Sequence, residues 1–108
     1  MSAETMRLFD LAKTIRSKNA GVDRITFDVI FADRGTYDRV RRTSVLSPPA
    51  ICRLFGITPD RITDYVEFDP GMAIKFTIRR SVASGSAGDA DIFGSQQYGP
   101  LLDIEVPA

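Results

Sequence analysis

The chain has 108 residues, of which 44% are hydrophobic and 26% charged, and its fourteen basic side chains balance fourteen acidic ones. This length and composition are typical of one globular domain with a single core, so we expect residues 1–108 to form one domain. No apolar run approaches the roughly 18 residues that cross a membrane, and zero net charge argues against general nucleic-acid binding. We therefore expect a soluble protein whose partners include neither membranes nor nucleic acids.

Two residue counts limit the chemistry. The sequence has no histidine, which excludes histidine-based catalytic triads and histidine metal sites. We expect no metal and no cofactor. The single cysteine, Cys52, excludes an internal disulfide and fits a reducing compartment, so the expected location is cytoplasmic.

The first predicted element has two interpretations. Apolar side chains recur at helical spacing in residues 2–18, which predicts a helix. Thr14 and Ile15 are β-branched, however, and β-branched residues favour strands. The alternative is therefore a short helix followed by a strand through residues 13–18.

The middle of the chain predicts a strand, two helices and a hairpin. Apolar residues alternate through 25–31, which is the period of a strand with one apolar face. One helix is predicted from Thr36, and a second follows Ser47, whose hydroxyl is a favoured N-cap. Alternation then predicts two strands, over 62–68 and 72–79, joined by a tight turn.

The last part of the chain changes in composition. Residues 81–100 are small, polar and glycine-rich, which predicts a long loop, and alternation over 101–106 predicts a final strand. This element order predicts an α+β, ferredoxin-like sandwich. Its four-stranded, mainly antiparallel sheet would carry helices on one face, with the glycine-rich loop before the last strand. Apolar Tyr65, Ile30 and Leu101 on the other face would form an interface patch.

Three segments of the sequence, residues 11–21, 84–89 and 96–106, resemble a small bacterial family that is described as a domain of unknown function. The resemblance covers nearly the whole chain. That family is similar to the C-terminal ferredoxin-like domain of acyclic terpene utilisation proteins, which has an Arg-Ser-Gly-Asp-Lys-Gly-Asp stretch. This chain keeps Arg16, Ser17 and Gly21 of that stretch but lacks its acidic residues.

The resemblance implies a free-standing copy of a domain that is otherwise fused to a larger, catalytic-looking one. The expected function is a small accessory subunit that assembles with a larger protein of the acyclic terpene utilisation type in the catabolism of organic acids or acyl-CoA compounds. Such a subunit would contribute a polar loop to a shared site. It would be either non-catalytic or the co-catalytic part of a lyase, hydratase or isomerase, and it is not expected to be catalytic alone. The alternatives are a stand-alone module that binds a small carboxylate and an independent enzyme. A carboxylate or acyl-CoA ligand and a second copy of the chain are the other expected partners.

Two regions supply the candidate ligand-binding residues. Arg16, Ser17, Lys18 and Asn19 place two cations, a hydroxyl and an amide in a predicted turn, which suits a carboxylate or phosphate. The alternative is a charged helix end, where basic side chains complement the helix dipole. The glycine-rich stretch and the segment after it supply the remaining candidates, which are Ser84, Gly85, Ser86, Asp89, Gln96 and Gln97.

Overall fold

The protein has an α+β fold in a computed structural model that describes residues 5–21, 23–79 and 99–107. Short 3₁₀ turns occupy Pro59–Arg61 and Asp69–Gly71. In chain order, the strands and helices are β1 (Thr5–Arg7), α1 (Leu8–Leu11), β2 (Thr14–Asn19), β3 (Arg24–Ile30), α2 (Arg34–Thr43), α3 (Pro48–Phe55), β4 (Ile62–Phe68), β5 (Ala73–Arg79), α4 (Gly99–Leu102) and β6 (Glu105–Pro107).

Four strands form the main sheet, in the order β2-β3-β5-β4, and each neighbouring pair is antiparallel. The α+β class and the four-stranded antiparallel sheet predicted from the sequence are confirmed. The strands β1 and β6 pair antiparallel in a separate two-stranded sheet. Arg39 of α2 holds this small sheet in place, because its Nε donates to the Pro107 carbonyl at 2.8 Å and its Nη2 to the Val106 carbonyl at 3.0 Å.

Local sequence signals set the start of each of the two longer helices and the end of α3. The Asp33 carboxylate accepts from the Thr36 backbone N–H at 2.8 Å, so it satisfies a free donor at the start of α2. The Ser47 hydroxyl accepts from the Ala50 N–H at the start of α3, as predicted. Gly56 ends α3 with a φ of 65°, a left-handed conformation that glycine adopts without strain.

One face of the main sheet packs under α2 and α3. Because side chains alternate along a strand, Phe27 of β3 and Phe76 of β5 point to the same face, where their rings stack with centroids 4.9 Å apart. Both are 1% exposed, and they share one apolar cluster with Tyr37 of α2 and Ile51 of α3, which are fully buried. This alternation places both helices on the face that carries the aromatic core.

The prediction of a helix through residues 2–18 is wrong, and the alternative is correct. Among the described residues of this segment only α1, four residues long, is helical. The short strand β1 precedes it and β2 follows it. The register pairs Thr14 with Ile30 and Asn19 with Ile25, so these residues extend the sheet at the free edge of β3. Pairing of β2 with the neighbouring strand β3 outweighs the local helical spacing, because helix propensity is only a weak determinant of structure.

The prediction of a final strand over residues 101–106 in the main sheet is also wrong. Leu101 lies in α4 and is fully buried, which also removes it from the predicted interface patch. The strand β6 is three residues long and pairs with β1. The sheet edge expected for a last ferredoxin-like strand is occupied by β2, which precedes β3 in the chain. Most of the predicted glycine-rich loop, residues 81–98, lies outside the described residues.

The packing of α3 on the sheet predicts unequal effects of truncating two of its residues. Ile51→Ala is expected to cost about 2–5 kcal/mol of unfolding free energy, because it opens a cavity under a fully buried side chain. Leu54→Ala, at a position that is 37% exposed on the same helix, is the control and should cost about 0.5 kcal/mol. Urea unfolding measures both. Equal losses would contradict the packing described here.

Candidate functional site

The face of the main sheet opposite α2 and α3, called here the open face, carries its side chains in cross-strand rows. Most of these side chains are exposed, and the strand register sets which of them are neighbours. The rows are Thr14, Ile30, Ala73 and Phe68; Arg16, Asp28, Lys75 and Val66; Lys18, Thr26, Thr77 and Asp64; and last the pair Arg24 and Arg79.

A buried carboxylate lies at the centre of the open face. The Asp28 side chain is only 9% exposed, and Arg16 Nε lies 3.0 Å from its Oδ2. Lys75 Nζ lies 3.9 Å from Oδ1, on the opposite side of the carboxylate. A buried charge requires such pairing, because it is otherwise costly to remove from water. Since one acid lies between two cations, this row has an excess positive charge.

The open face has an apolar end, formed by Phe68 and Val66 with Ile30 and Ala73 beside them. Phe68 is 47% exposed and Val66 40% exposed, which is unusual for adjacent large apolar side chains. The Phe68 ring lies against the backbone of Gly71, where an added Cβ would stand 2.8 Å from ring atom Cδ2. The absence of a side chain at Gly71 therefore leaves the space that this exposed ring occupies.

A second polar group, called here the tyrosine cluster, connects α2 to β4 and to the turn after it. The Tyr37 hydroxyl donates to Asp69 Oδ1 at 2.6 Å, and Arg41 Nε donates to Glu67 Oε1 at 3.1 Å. The Arg41 guanidinium also lies over the Tyr37 ring, 5.0 Å from its centroid. Tyr65 completes the cluster, since its hydroxyl donates to the Leu46 carbonyl at 2.9 Å.

Burial and hydrogen bonding shift the pKa values in the tyrosine cluster. Burial, then the bond to Asp69, raises the pKa of Tyr37 to about 12. The same hydrogen bond holds the pKa of Asp69 below its ordinary value of 3.8, and the charge of Arg41 adds to this effect. Burial, together with the charge of Glu67, raises the pKa of Tyr65 to about 12. Both phenols therefore stay protonated at neutral pH and act as donors.

A cavity of about 120 Å³ lies beside the tyrosine cluster, lined in part by Ser44, Ser47 and Tyr65. That volume holds a few water molecules, at about 30 Å³ each. The charged groups on its wall, Arg41 and Glu67, already pair with each other. The cluster is therefore best explained as a structural link between α2 and the β4–β5 turn, and the open face is the stronger candidate for binding.

The predicted Arg16 to Asn19 group lies in strand β2 and does not form a turn. Because side chains alternate, Arg16 and Lys18 are on the open face, whereas Ser17 and Asn19 are on the face toward the helices. Ser17 is 6% exposed. The four residues therefore do not converge on one ligand, although two of them contribute cations to the open face.

The other predicted site residues lie outside the described residues. They are Ser84, Gly85, Ser86, Asp89, Gln96 and Gln97. Their part in a site stays a prediction. Tyr65, predicted for the interface patch, lies on the helix-covered face opposite Phe76, and Ile30 is on the open face.

Two kinds of site are absent from residues 5–21, 23–79 and 99–107. No three histidine, cysteine or carboxylate side chains in these ranges group as metal ligands. No helix there is long and apolar enough to span a bilayer.

Comparison with known proteins identifies the family. Residues 8–105 match the family described as "Domain of unknown function (DUF4387)". The chain belongs to this family. The match runs from α1 into β6 and so includes the whole main sheet, which confirms the resemblance to a small domain of unknown function. No curated protein and no solved structure matches the chain.

Sequence reasoning missed the tyrosine cluster and the opposition of Arg24 to Arg79. Tyr37 and Asp69 are 32 residues apart, and no local pattern connects them. Alternation alone assigns Arg79 to the outward face, but it does not show which residue of β3 stands opposite. The opposition of Arg24 to Arg79 can be identified only from the register between β3 and β5.

The Tyr37 to Asp69 hydrogen bond predicts a pH-dependent effect of Tyr37→Phe. The pKa of Asp69 is lower in the folded state than in the unfolded state, so its carboxylate stabilises the fold at pH values above the unfolded-state pKa. This stabilisation is lost as the pH falls through the folded-state pKa. Tyr37→Phe should therefore destabilise the protein at pH 7, and by less at pH 3. Urea unfolding at both pH values measures the two differences.

Tyr65→Phe is the matched control for this experiment. The Tyr65 hydroxyl donates mainly to a backbone carbonyl, which does not titrate, so the destabilisation should change less between the two pH values. A Tyr37→Phe effect of the same size at pH 7 and pH 3 would show that Asp69 is not the charged acceptor.

Proposed function

We propose that this protein is a small accessory subunit that docks on a larger protein through the apolar end of its open face. The observation that carries the proposal is the exposure of Phe68 and Val66 side by side on a sheet whose other face is packed under helices. Exposed apolar neighbours of this size are typical of protein interfaces, because contact with a partner removes them from water.

The sequence resemblance suggests the partner. We infer a partner of the acyclic terpene utilisation type, because the C-terminal domain that this chain resembles in sequence is fused there to a larger part. A free-standing copy would occupy the position of that fused domain by docking on a separate, larger chain. The proposed setting is the catabolism of organic acids or acyl-CoA compounds in the cytoplasm, with the small subunit completing a shared site.

The charges of the open face are compatible with such docking. Asp28 is neutralised within its own row, while Arg16 and Lys75 keep 63% and 48% of their side-chain surfaces exposed. These exposed cations lie in the same row as Val66, with Lys75 directly opposite it, and one row from Phe68. An apolar centre with charged groups at its border is the usual arrangement of a protein interface, and the border charges favour an acidic surface on the partner.

Co-purification tests the proposal. The tagged chain is co-expressed with a larger acyclic terpene utilisation protein encoded by the same genome, and the partner is quantified after affinity capture. We expect the wild type to retain the partner. Phe68→Asp should reduce capture about tenfold or more, because a carboxylate buried in an apolar contact without a partner costs several kcal/mol.

Phe9→Asp is the matched control, because Phe9 is 54% exposed and lies in α1, outside the main sheet. It should leave capture unchanged. Circular dichroism and thermal melting check that both variants fold. No capture by the wild type, or equal capture by the wild type and Phe68→Asp, would refute docking through this face.

A further inference from the structure

Two arginines stand directly opposite each other at the end of the open face away from Phe68. The register of β3 and β5 pairs Arg24 with Arg79, and both side chains belong to the open face. Side chains directly opposite in an antiparallel pair have Cβ atoms about 4.5–5.5 Å apart, and like charges there are destabilising. The fold therefore keeps two cations close together at this point.

Carboxylates near this pair neutralise it only in part. Arg79 Nη2 lies 3.5 Å from Asp60 Oδ2, and the Asp60 side chain is 71% exposed, so water screens this contact. Asp64 is opposite Thr77 on the same face but forms no ion pair within the described part of the chain. In those same ranges Arg24 makes neither an ion pair nor a side-chain hydrogen bond.

A third cation and a hydroxyl pair lie in the next row. Lys18 is opposite Thr26, two residues from Arg24 along β3, and it too has no ion pair among the described residues. The Thr26 and Thr77 hydroxyl oxygens are 3.0 Å apart, so one donates to the other. A hydroxyl has a single proton, so the accepting threonine keeps its own proton for a further acceptor.

We propose that Lys18, Arg24 and Arg79, together with one of the two threonine hydroxyls, bind an oxyanion, either a phosphate or a carboxylate. Guanidinium groups bind both through paired N–H donors, and a bound anion would relieve the repulsion between the two arginines. This basic end is separate from the apolar end, so the proposal does not depend on docking of a partner. Lys18 is the one residue it shares with the site predicted from the sequence.

Titration of the isolated chain with inorganic phosphate tests the site, with chloride exchanged so that ionic strength stays constant. We expect saturable amide chemical-shift changes at the end of β2, the start of β3 and the end of β5. Arg24→Gln should weaken binding about tenfold or more, since a charge-assisted hydrogen bond contributes about 1.5–3 kcal/mol. Lys18→Gln is a second variant with the same expected direction.

Arg42→Gln is the matched control, because Arg42 is an exposed cation on α2 that has no ion pair in the described ranges. It should bind phosphate as the wild type does. A parallel titration with acetate distinguishes the two ligand classes, since the class that binds more tightly is the one the site prefers. Absence of saturation with both anions, or equal weakening by Arg24→Gln and Arg42→Gln, would overturn the proposal.

Thermal melting tests the proposal both without a ligand and with phosphate. At low ionic strength Arg24→Gln should raise the Tm, because it removes one of two opposed like charges, and salt should reduce the difference. Phosphate should raise the Tm of the wild type more than that of the variant. A lower Tm for Arg24→Gln at low ionic strength would show that the two arginines do not repel each other, which would contradict the proposal.

Discussion

The pairing of β3 with β5 is the constraint on which the rest of the structure depends. Seven consecutive residue pairs join these strands, and the alternation of their side chains divides the molecule into two sides. One side supplies the stacked Phe27 and Phe76, on which both longer helices pack. The other side presents the polar rows. A one-residue shift of this register would exchange the two sets and remove both the core and the open face.

The parts of the fold that sequence predicts are those with local causes. The strands β3, β4 and β5 follow from alternation, and α3 follows from Ser47 at its start and Gly56 at its end. The β1–β6 pair depends on partners far away in the chain, since Arg7 pairs with Glu105. The β2 strand pairs with the nearby β3, but its segment also has apolar residues at helical spacing. Helical spacing in a short segment cannot reveal such a partner, and for this reason the first element was assigned wrongly.

In the candidate site, too, sequence predicts what has a local cause and misses what depends on contacts between strands. Alternation is enough to place Asp28, Lys75 and Arg79 on the outward face, and the structure confirms this placement. Neither the contact of Arg16 with Asp28 nor the opposition of Arg24 to Arg79 follows from alternation, because both need the register between strands. Six of the ten predicted site residues, all between positions 84 and 97, lie outside the described ranges, so that part of the predicted site rests on sequence.

The position of β2 at the sheet edge has a consequence for self-association. Among the described strands, β2 pairs with β3 alone, so no described strand pairs with the backbone donors and acceptors on its other side. If two copies added these edges antiparallel about a twofold axis at Ser17, Arg16 of one copy would stand against Lys18 of the other. Like charges disfavour that alignment. The same side chains that make the open face basic therefore act against this way of joining two sheets at their edges.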